Sequence, residues 1–303
     1  MTLTKQQVWI AAMRPRTLPL ALACIGVGAF LAVAHGVYRW EIVTLCLVTA
    51  VLLQILSNLA NDYGDAVHGA DAAGREGPLR VVQGGYITPR AMQQAMGLFA
   101  LLSALSGLSL VWLAFGADGL LLVILFVLLG ALAIGAAVTY TAGRKPYGYA
   151  GLGDIAVLIF FGWVAVLGTY FLQAHSLDWR LWLPATAMGL LAVGVLNVNN
   201  IRDIESDKKA GKRTIPVRLG RERARVYHAL LLLTAVFFTL IYVLLDYQSP
   251  WQFLFLLSLP LLLGNMRGIW QGQTPNQVAP YLKQMVLASL VFALTFGVSQ
   301  IIS

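Results

Sequence analysis

Charge is what this sequence has least of. Only 11% of its 303 residues are Asp, Glu, Lys or Arg, against about 25% in a soluble domain. With 59% hydrophobic residues and a mean hydropathy of +0.76, that scarcity excludes a water-soluble fold and leaves an integral membrane protein. Cysteine is nearly absent as well. Cys24 and Cys46 both fall inside apolar runs, which argues against a disulfide framework or a zinc site and reads as two buried small hydrophobes. The stretch Met1 to Arg16 is polar, and no small-residue cleavage site follows the first apolar run. That run is therefore expected to be a span, not a removed leader.

What the chain does have is apolar runs of about 20 residues, the length that crosses a bilayer. Nine are read: 18–36, 41–61, 92–115, 118–141, 153–174, 181–201, 225–246, 250–269 and 282–302. The expected fold is all-α, nine transmembrane helices around a central cavity, formed by residues 1–303 as one domain. Lys and Arg set the orientation. With the N-terminus in the cytoplasm, only Arg39 and Arg180 of the 21 basic residues lie on the far side. The net charge of +8 is thus topological, and nucleic acid is not an expected partner. The long loops, 62–91 and 202–224, both fall on the cytoplasmic side. Chemistry is expected there.

Each long loop follows an acidic motif. The first runs Asn58-Leu-Ala-Asn61-Asp62-Tyr63-Gly64-Asp65 and on to Asp71; the second is Asn199-Asn200-Ile-Arg202-Asp203-Ile-Glu205-Ser-Asp207. On a helix, Asn58, Asp62 and Asp65 share a face, and so do Asn199, Asp203 and Asp207. Carboxylates are costly at a membrane edge. Two such clusters suit a divalent cation of the Mg²⁺ type, held by one or two carboxylates plus phosphate oxygens. Arg75, Arg80, Lys208, Lys212 and Arg213 are placed to take the outer oxygens of a diphosphate. Glycines 64, 69, 74, 77, 84 and 85 make the first loop pliable enough for a lid. The bland alternative, solvated acids paired with loop bases, fits Glu76 and Glu205 better than it fits the motif aspartates.

These residues resemble the UbiA superfamily of intramembrane aromatic prenyltransferases. The resemblance covers nearly the whole chain. It rests on the two acidic motifs, on Arg14-Pro15-Arg16-Thr17-Leu-Pro19, on Gly77-Pro78-Leu79-Arg80-Val-Val-Gln83, and on Pro146-Tyr147-Gly148-Tyr149 with Gly151-Leu-Gly153-Asp154. The wording of the acidic motifs is similar to the branch that acts on 1,4-dihydroxy-2-naphthoate. The resemblance implies transfer of a polyprenyl group from its diphosphate to that naphthoate with loss of carbon dioxide, in a bacterial inner membrane, with the active site facing the cytoplasm.

It also implies roles. Asp62, Asp65, Asp203 and Asp207 are the expected Mg²⁺ carriers, with Asp71 a further ligand candidate. Asn58, Asn199, Arg14, Arg80, Arg202, Lys208 and Lys212 are expected to hold substrate. Tyr140, Arg144, Lys145, Tyr147 and Tyr149 form an expected acceptor pocket, a cation for the carboxylate and rings for stacking. An interfacial aromatic belt is the structural alternative for that cluster. Asp154 is expected to pair with Arg144 or Lys145, or to act directly. His68 is expected in solvent, and His35, His175 and His228 to be structural. Another aromatic acceptor or a phytyl donor is the alternative within the class. A cation-coupled transporter is the alternative outside it, disfavoured because the acids cluster at span ends and no span is clearly broken by Gly/Pro pairs.

Overall fold

The computed structural model describes residues 4–68 and 80–303. Asp71, Arg75, Glu76 and the glycines at 69, 74 and 77 lie outside the described residues. Within them the regular structure is helical, and nine helices are long and apolar enough to span a bilayer. Lipid offers no partner to a backbone N–H or C=O, so an apolar run crossing it must satisfy these groups within itself.

A short first helix, α1 (Lys5–Met13), is opened by Thr4 and Gln7, whose side chains satisfy each other's backbone N–H. Arg14 then takes a left-handed conformation (φ 48°) before Pro15, and a 3₁₀ turn leads into α2 (Leu18–Ala34). The remaining elements are α3 (Trp40–Val67), α4 (Pro89–Phe115), α5 (Leu120–Thr139), α6 (Gly153–Ala174), α7 (Trp179–Arg202), α8 (Ile204–Lys209), α9 (Ile215–Leu245), α10 (Pro250–Gln271) and α11 (Pro275–Ile301).

Helix α7 is the most buried span and packs on α9, α6, α11 and α2. Its contact with α6 is backbone to backbone: a Cβ on Gly162 would come within 2.7 Å of Ala185 O and 2.9 Å of Gly189 Cα. Small residues permit such approach where no hydrophobic force pulls helices together. By contrast α5 has no buried residue, and Leu120, Leu121, Leu125, Leu128 and Leu132 are exposed on its outer side. Trp40, Trp112, Trp179, Trp182 and Trp251 are exposed at helix ends on one face of the bundle, an interfacial belt. On that face Arg180 joins Asp178 and Asp246, reaching the latter at 2.6 Å. The acidic motifs are on the other face.

The structure departs from the sequence reading at helix ends. Helix α3 continues through Val67, carrying Asp62 and Asp65 on a continuous helix. Helix α9 begins at Ile215 with a short segment that breaks at Gly220 (φ 75°, ψ 164°) before the long helix, and α11 begins at Pro275, so part of each expected loop is helical. A hydropathy window sees the hydrocarbon edge, whereas the hydrogen-bond ladder runs on past it. Two spans are also irregular. Helix α6 is π-helical over Leu158–Leu167, and α10 opens as 3₁₀ helix over Pro250–Ser258.

Candidate active site

A cavity of about 1700 Å³ runs into the bundle between α2, α3, α4, α5, α6, α7 and α11. Its deep walls are apolar, with Ile25, Leu110, Val111, Phe126, Phe160 and Leu172 among them. Its polar end is lined by Arg14, Asn58, Asn61, Tyr140, Tyr147, Asn199 and Arg202. No aspartate or glutamate lines it among the described residues.

The motif carboxylates stand beside those lining residues, on the same helices. Asp62, Asp65, Asp203 and Asp207 are only 2%, 4%, 3% and 3% exposed, so they are not solvated loop acids. Asp62 Oδ2 accepts from the backbone N–H groups of Val81 and Val82 at 3.2 and 3.3 Å. Arg80 lies 3.2 Å from Asp65 Oδ2 and 3.9 Å from Asp62 Oδ1. Lys212 donates to Asp65 Oδ1 at 2.7 Å and lies 3.9 Å from Asp207 Oδ1. Tyr149 O–H also donates to Asp65 Oδ1, at 2.8 Å, and its ring lies under the Lys212 ammonium. The two motifs therefore meet in one charged layer.

Asn199, Asp203 and Asp207 do not lie on one unbroken helix. Helix α7 ends at Arg202, Asp203 caps it with non-helical angles, and Asp207 rides on α8. The bond from Asp207 N–H to Asp203 O, at 2.8 Å, keeps the i, i+4 relation across the break. Arg202 folds back as a fork: Nε and Nη2 donate to Asp203 at 2.8 and 2.7 Å, and Nη2 also reaches Asn199 Oδ1 at 2.8 Å. Asn58 Nδ2 donates to Met13 O and Thr17 Oγ1, both at 2.9 Å. The first motif is thereby tied to the Arg14–Thr17 turn.

The loop after α5 is held against α3 by a close approach. Thr141 Oγ1 donates to Ala60 O and Asn61 Oδ1, and a Cβ on Gly64 would sit 2.3 Å from Thr141 O. This brings Tyr140 and Tyr147 to the cavity with their rings edge to face. Burial pushes the Tyr147 phenol up to about 12, and burial with the carboxylates nearby raises Tyr140 as well. Both stay protonated at neutral pH.

Arg144 and Lys145 are exposed and do not line the cavity. Lys208 is exposed on α8. Asp154 accepts from Tyr227 O–H at 2.8 Å instead of pairing with Arg144 or Lys145. His68 is held by Gly64 O and packs edge-on to Tyr149. His228 is buried against Asn265. Tyr149, expected in the acceptor pocket, instead donates to Asp65 in the acid layer. Asn61, Thr17 and Lys283 line the cavity, though the sequence singles none of them out; Lys283 counts there only among the cytoplasmic basic residues.

A sequence model of the UbiA prenyltransferase family matches residues 21–292. The chain belongs to that family. It is 48% identical to 1,4-dihydroxy-2-naphthoate octaprenyltransferase of Escherichia coli over 98% of this chain and 97% of that protein. Its fold is that of an apo UbiA homolog from Aeropyrum pernix K1 (TM-score 0.72, 18% identity, covering 94% of this chain and 98% of that one). It is also that of a UbiA homolog from Archaeoglobus fulgidus solved with GPP and Mg²⁺ (TM-score 0.67, 17% identity, covering 98% and 100%). This UbiA-family chain is a multi-pass membrane protein.

The donor set suits Mg²⁺ by its chemistry. Among the described residues the candidate ligands Asp62, Asp65, Asp203 and Asp207 offer hard oxygens from buried carboxylates at the ends of two helices. Among the described residues no three acidic, histidine or cysteine side chains converge on one point.

Proposed function

We propose that this protein transfers a polyprenyl group from its diphosphate to 1,4-dihydroxy-2-naphthoate, releasing diphosphate and carbon dioxide and giving a demethylmenaquinol. The observation that carries the reading is one cavity, apolar along its length, whose polar end is lined by Asn58 and Asn61 of one acidic motif and Asn199 and Arg202 of the other, with the motif carboxylates joined in a charged layer beside it. A polyprenyl diphosphate has that same division. The name of the Escherichia coli relative supports the acceptor.

Mg²⁺ would be held by Asp62 and Asp65 from one motif and Asp203 and Asp207 from the other, and supplies Lewis-acid neutralisation of the leaving diphosphate. The chain's own residues do the rest. Arg80 and Lys212, now on Asp65, are within reach of phosphate oxygens once the carboxylates have another cation. Arg202 keeps Asn199 and Asp203 in register at the cavity edge. The apolar walls hold the tail and keep water from the allylic carbon as its C–O bond breaks with both electrons going to the diphosphate. The Tyr140 and Tyr147 faces can stabilise positive charge there. The ring carbon of the naphthoate that bears the carboxylate forms the new C–C bond. The bond to the carboxylate then breaks, its electrons restoring the aromatic ring. No proton has to leave that carbon, so the protonated state of Tyr140 and Tyr147 is no obstacle.

The distribution of Lys and Arg supports a cytoplasmic N-terminus, hence a site opening to the cytoplasm from the bacterial inner membrane. The test is direct. Protein in lipid nanodiscs is given Mg²⁺, a polyprenyl or phytyl diphosphate, and either 1,4-dihydroxy-2-naphthoate or 4-hydroxybenzoate. Prenylated naphthoquinol and stoichiometric diphosphate are expected with the naphthoate and the polyprenyl donor. Product from 4-hydroxybenzoate alone would overturn the acceptor; ion flux with no diphosphate release would overturn the enzyme.

A further inference from the structure

The acceptor proposed above carries a carboxylate, and the cations expected to meet it, Arg144 and Lys145, do not line the cavity. A different cation does. Helix α11 presents Asn276, Ala279, Lys283, Val286 and Leu290 to the cavity, steps of three or four that make one stripe along the helix. Lys283 is the one charge in that stripe. Among the described residues it makes no ion pair, and it is exposed on the cavity side.

Its direction is fixed from behind. Asn265 on α10 is wholly buried. Its Nδ2 donates to Tyr281 O at 2.9 Å and to Gln284 Oε1 at 3.2 Å, and its Oδ1 meets His228 Nε2 at 2.9 Å. With Gln284 held toward α10, Lys283 lies about 100° round the helix from it, on the face that lines the cavity. A positive-inside anchor needs no such latch. Charged side chains within spans characteristically face a cavity and mark a substrate path.

The other lining arginines are less suited. Arg202 is committed to Asp203 and Asn199, and Arg14 and Arg16 flank Pro15 at the turn beside Asn58. Arg80 and Lys212 belong to the acid layer. We infer that Lys283 is the specificity-determining cation for the acceptor, its ammonium holding the naphthoate carboxylate against the α11 wall of the cavity. This rests on the proposed function, and a charge-assisted hydrogen bond to one carboxylate oxygen is the interaction assigned.

The experiment uses full-length protein in nanodiscs, as wild type, Lys283→Met, Lys283→Gln and Lys283→Arg. KM is measured for 1,4-dihydroxy-2-naphthoate and for the polyprenyl diphosphate, with inhibition constants for 1,4-naphthalenediol, which lacks the carboxylate. The expected result is a rise in naphthoate KM of about tenfold or more in Lys283→Met and Lys283→Gln, the scale of a lost charged hydrogen bond. Lys283→Arg recovers most of it, while the diphosphate KM and the naphthalenediol constant stay within about twofold. An unchanged naphthoate KM, a rise confined to the diphosphate KM, or equal weakening of naphthalenediol would each overturn the assignment. A wild type that prenylates no naphthoate would overturn the proposed function instead. In that event Lys283 is read by direct binding of naphthoate against naphthalenediol to wild type and Lys283→Gln, where equal affinities in both proteins overturn it.

Discussion

The Lys212 ammonium lies 2.7 Å from Asp65 Oδ1 and 3.9 Å from Asp207 Oδ1, joining two acidic motifs from a loop that belongs to neither helix. It is 10% exposed and its partners 5% each. In that setting an ammonium compensates carboxylates that would otherwise repel one another. Lys212→Met removes one partner of a buried pair, a change that costs about 3–5 kcal/mol. The expected signature is a fall in melting temperature that is larger in EDTA than in Mg²⁺ with diphosphate, because a divalent cation can replace the lost charge. Equal falls in both conditions would show that Lys212 does not neutralise the metal-binding carboxylates.

Gly64 is where α3 and the loop after α5 touch. A Cβ there meets the backbone of Thr141 at 2.3 Å, and backbone cannot rotate away. Gly64→Ala is expected to cost about 1–3 kcal/mol, the range for overpacking, and to lower kcat/KM by tenfold or more, about 1.4 kcal/mol at the transition state, because Asp62 and Asp65 flank it. Gly97→Ala on α4, where a Cβ meets nothing within 4 Å, is the control. It should be neutral or stabilising by up to about 1 kcal/mol. Thermal unfolding of the two variants side by side decides it.

Much of this arrangement was readable from the sequence, and the limits have physical causes. The spans were legible because lipid enforces both length and polarity, and the two Asn-x-x-x-Asp motifs because acids are so rare in this chain. The end of α3 was less so: spacing puts Asp62 and Asp65 on a helix face with Asn58, but a hydropathy window stops at residue 61 while the hydrogen-bond ladder runs on to Val67. The break at Asp203 was hidden for a related reason: the spacing of four survives it. The partner of Asp154 was misassigned because Arg144 and Lys145 are near it in sequence, whereas Tyr227 comes from α9, 73 residues away. Lys283 was passed over because only helix rotation, set by Asn265 and Gln284, separates a cavity cation from an anchor.

The Tyr147 phenol, pushed up to about 12 by burial, fixes the sign of one pH effect. A folded-state value above the unfolded one of about 10 means the folded protein holds that proton more tightly. The contribution is fully present below about pH 10 and is lost as pH rises toward 12. Tyr147→Phe loses the O–H bond to Ala136 O, 2.9 Å long, so the two proteins differ in absolute stability, by an amount that should be constant from pH 6 to 9. Above pH 10 wild type should lose stability faster than Tyr147→Phe. Melting curves across that range test it, and a difference that already changes with pH between 6 and 9 would contradict the assignment.

Metal removal tests the acid layer itself. The prediction is that EDTA abolishes prenyl transfer and Mg²⁺ restores it. Asp62→Asn and Asp203→Asn should each reduce kcat by at least about a hundredfold, the scale of losing a preorganised electrostatic contact to a developing charge. Activity alone does not separate a lost ligand from a misplaced helix, so Mg²⁺ binding in the presence of a non-hydrolysable prenyl diphosphate analogue is measured by calorimetry. The two variants should differ in one respect. Asp62 is held by the Val81 and Val82 amides, which a neutral Asn can still partly satisfy. Asp203 holds the Arg202 fork, and Asp203→Asn leaves that buried guanidinium without its carboxylate. Asp203→Asn should therefore lose stability as well as metal affinity, and Asp62→Asn mainly metal affinity. Retained Mg²⁺ binding in both variants would remove these carboxylates from the metal site.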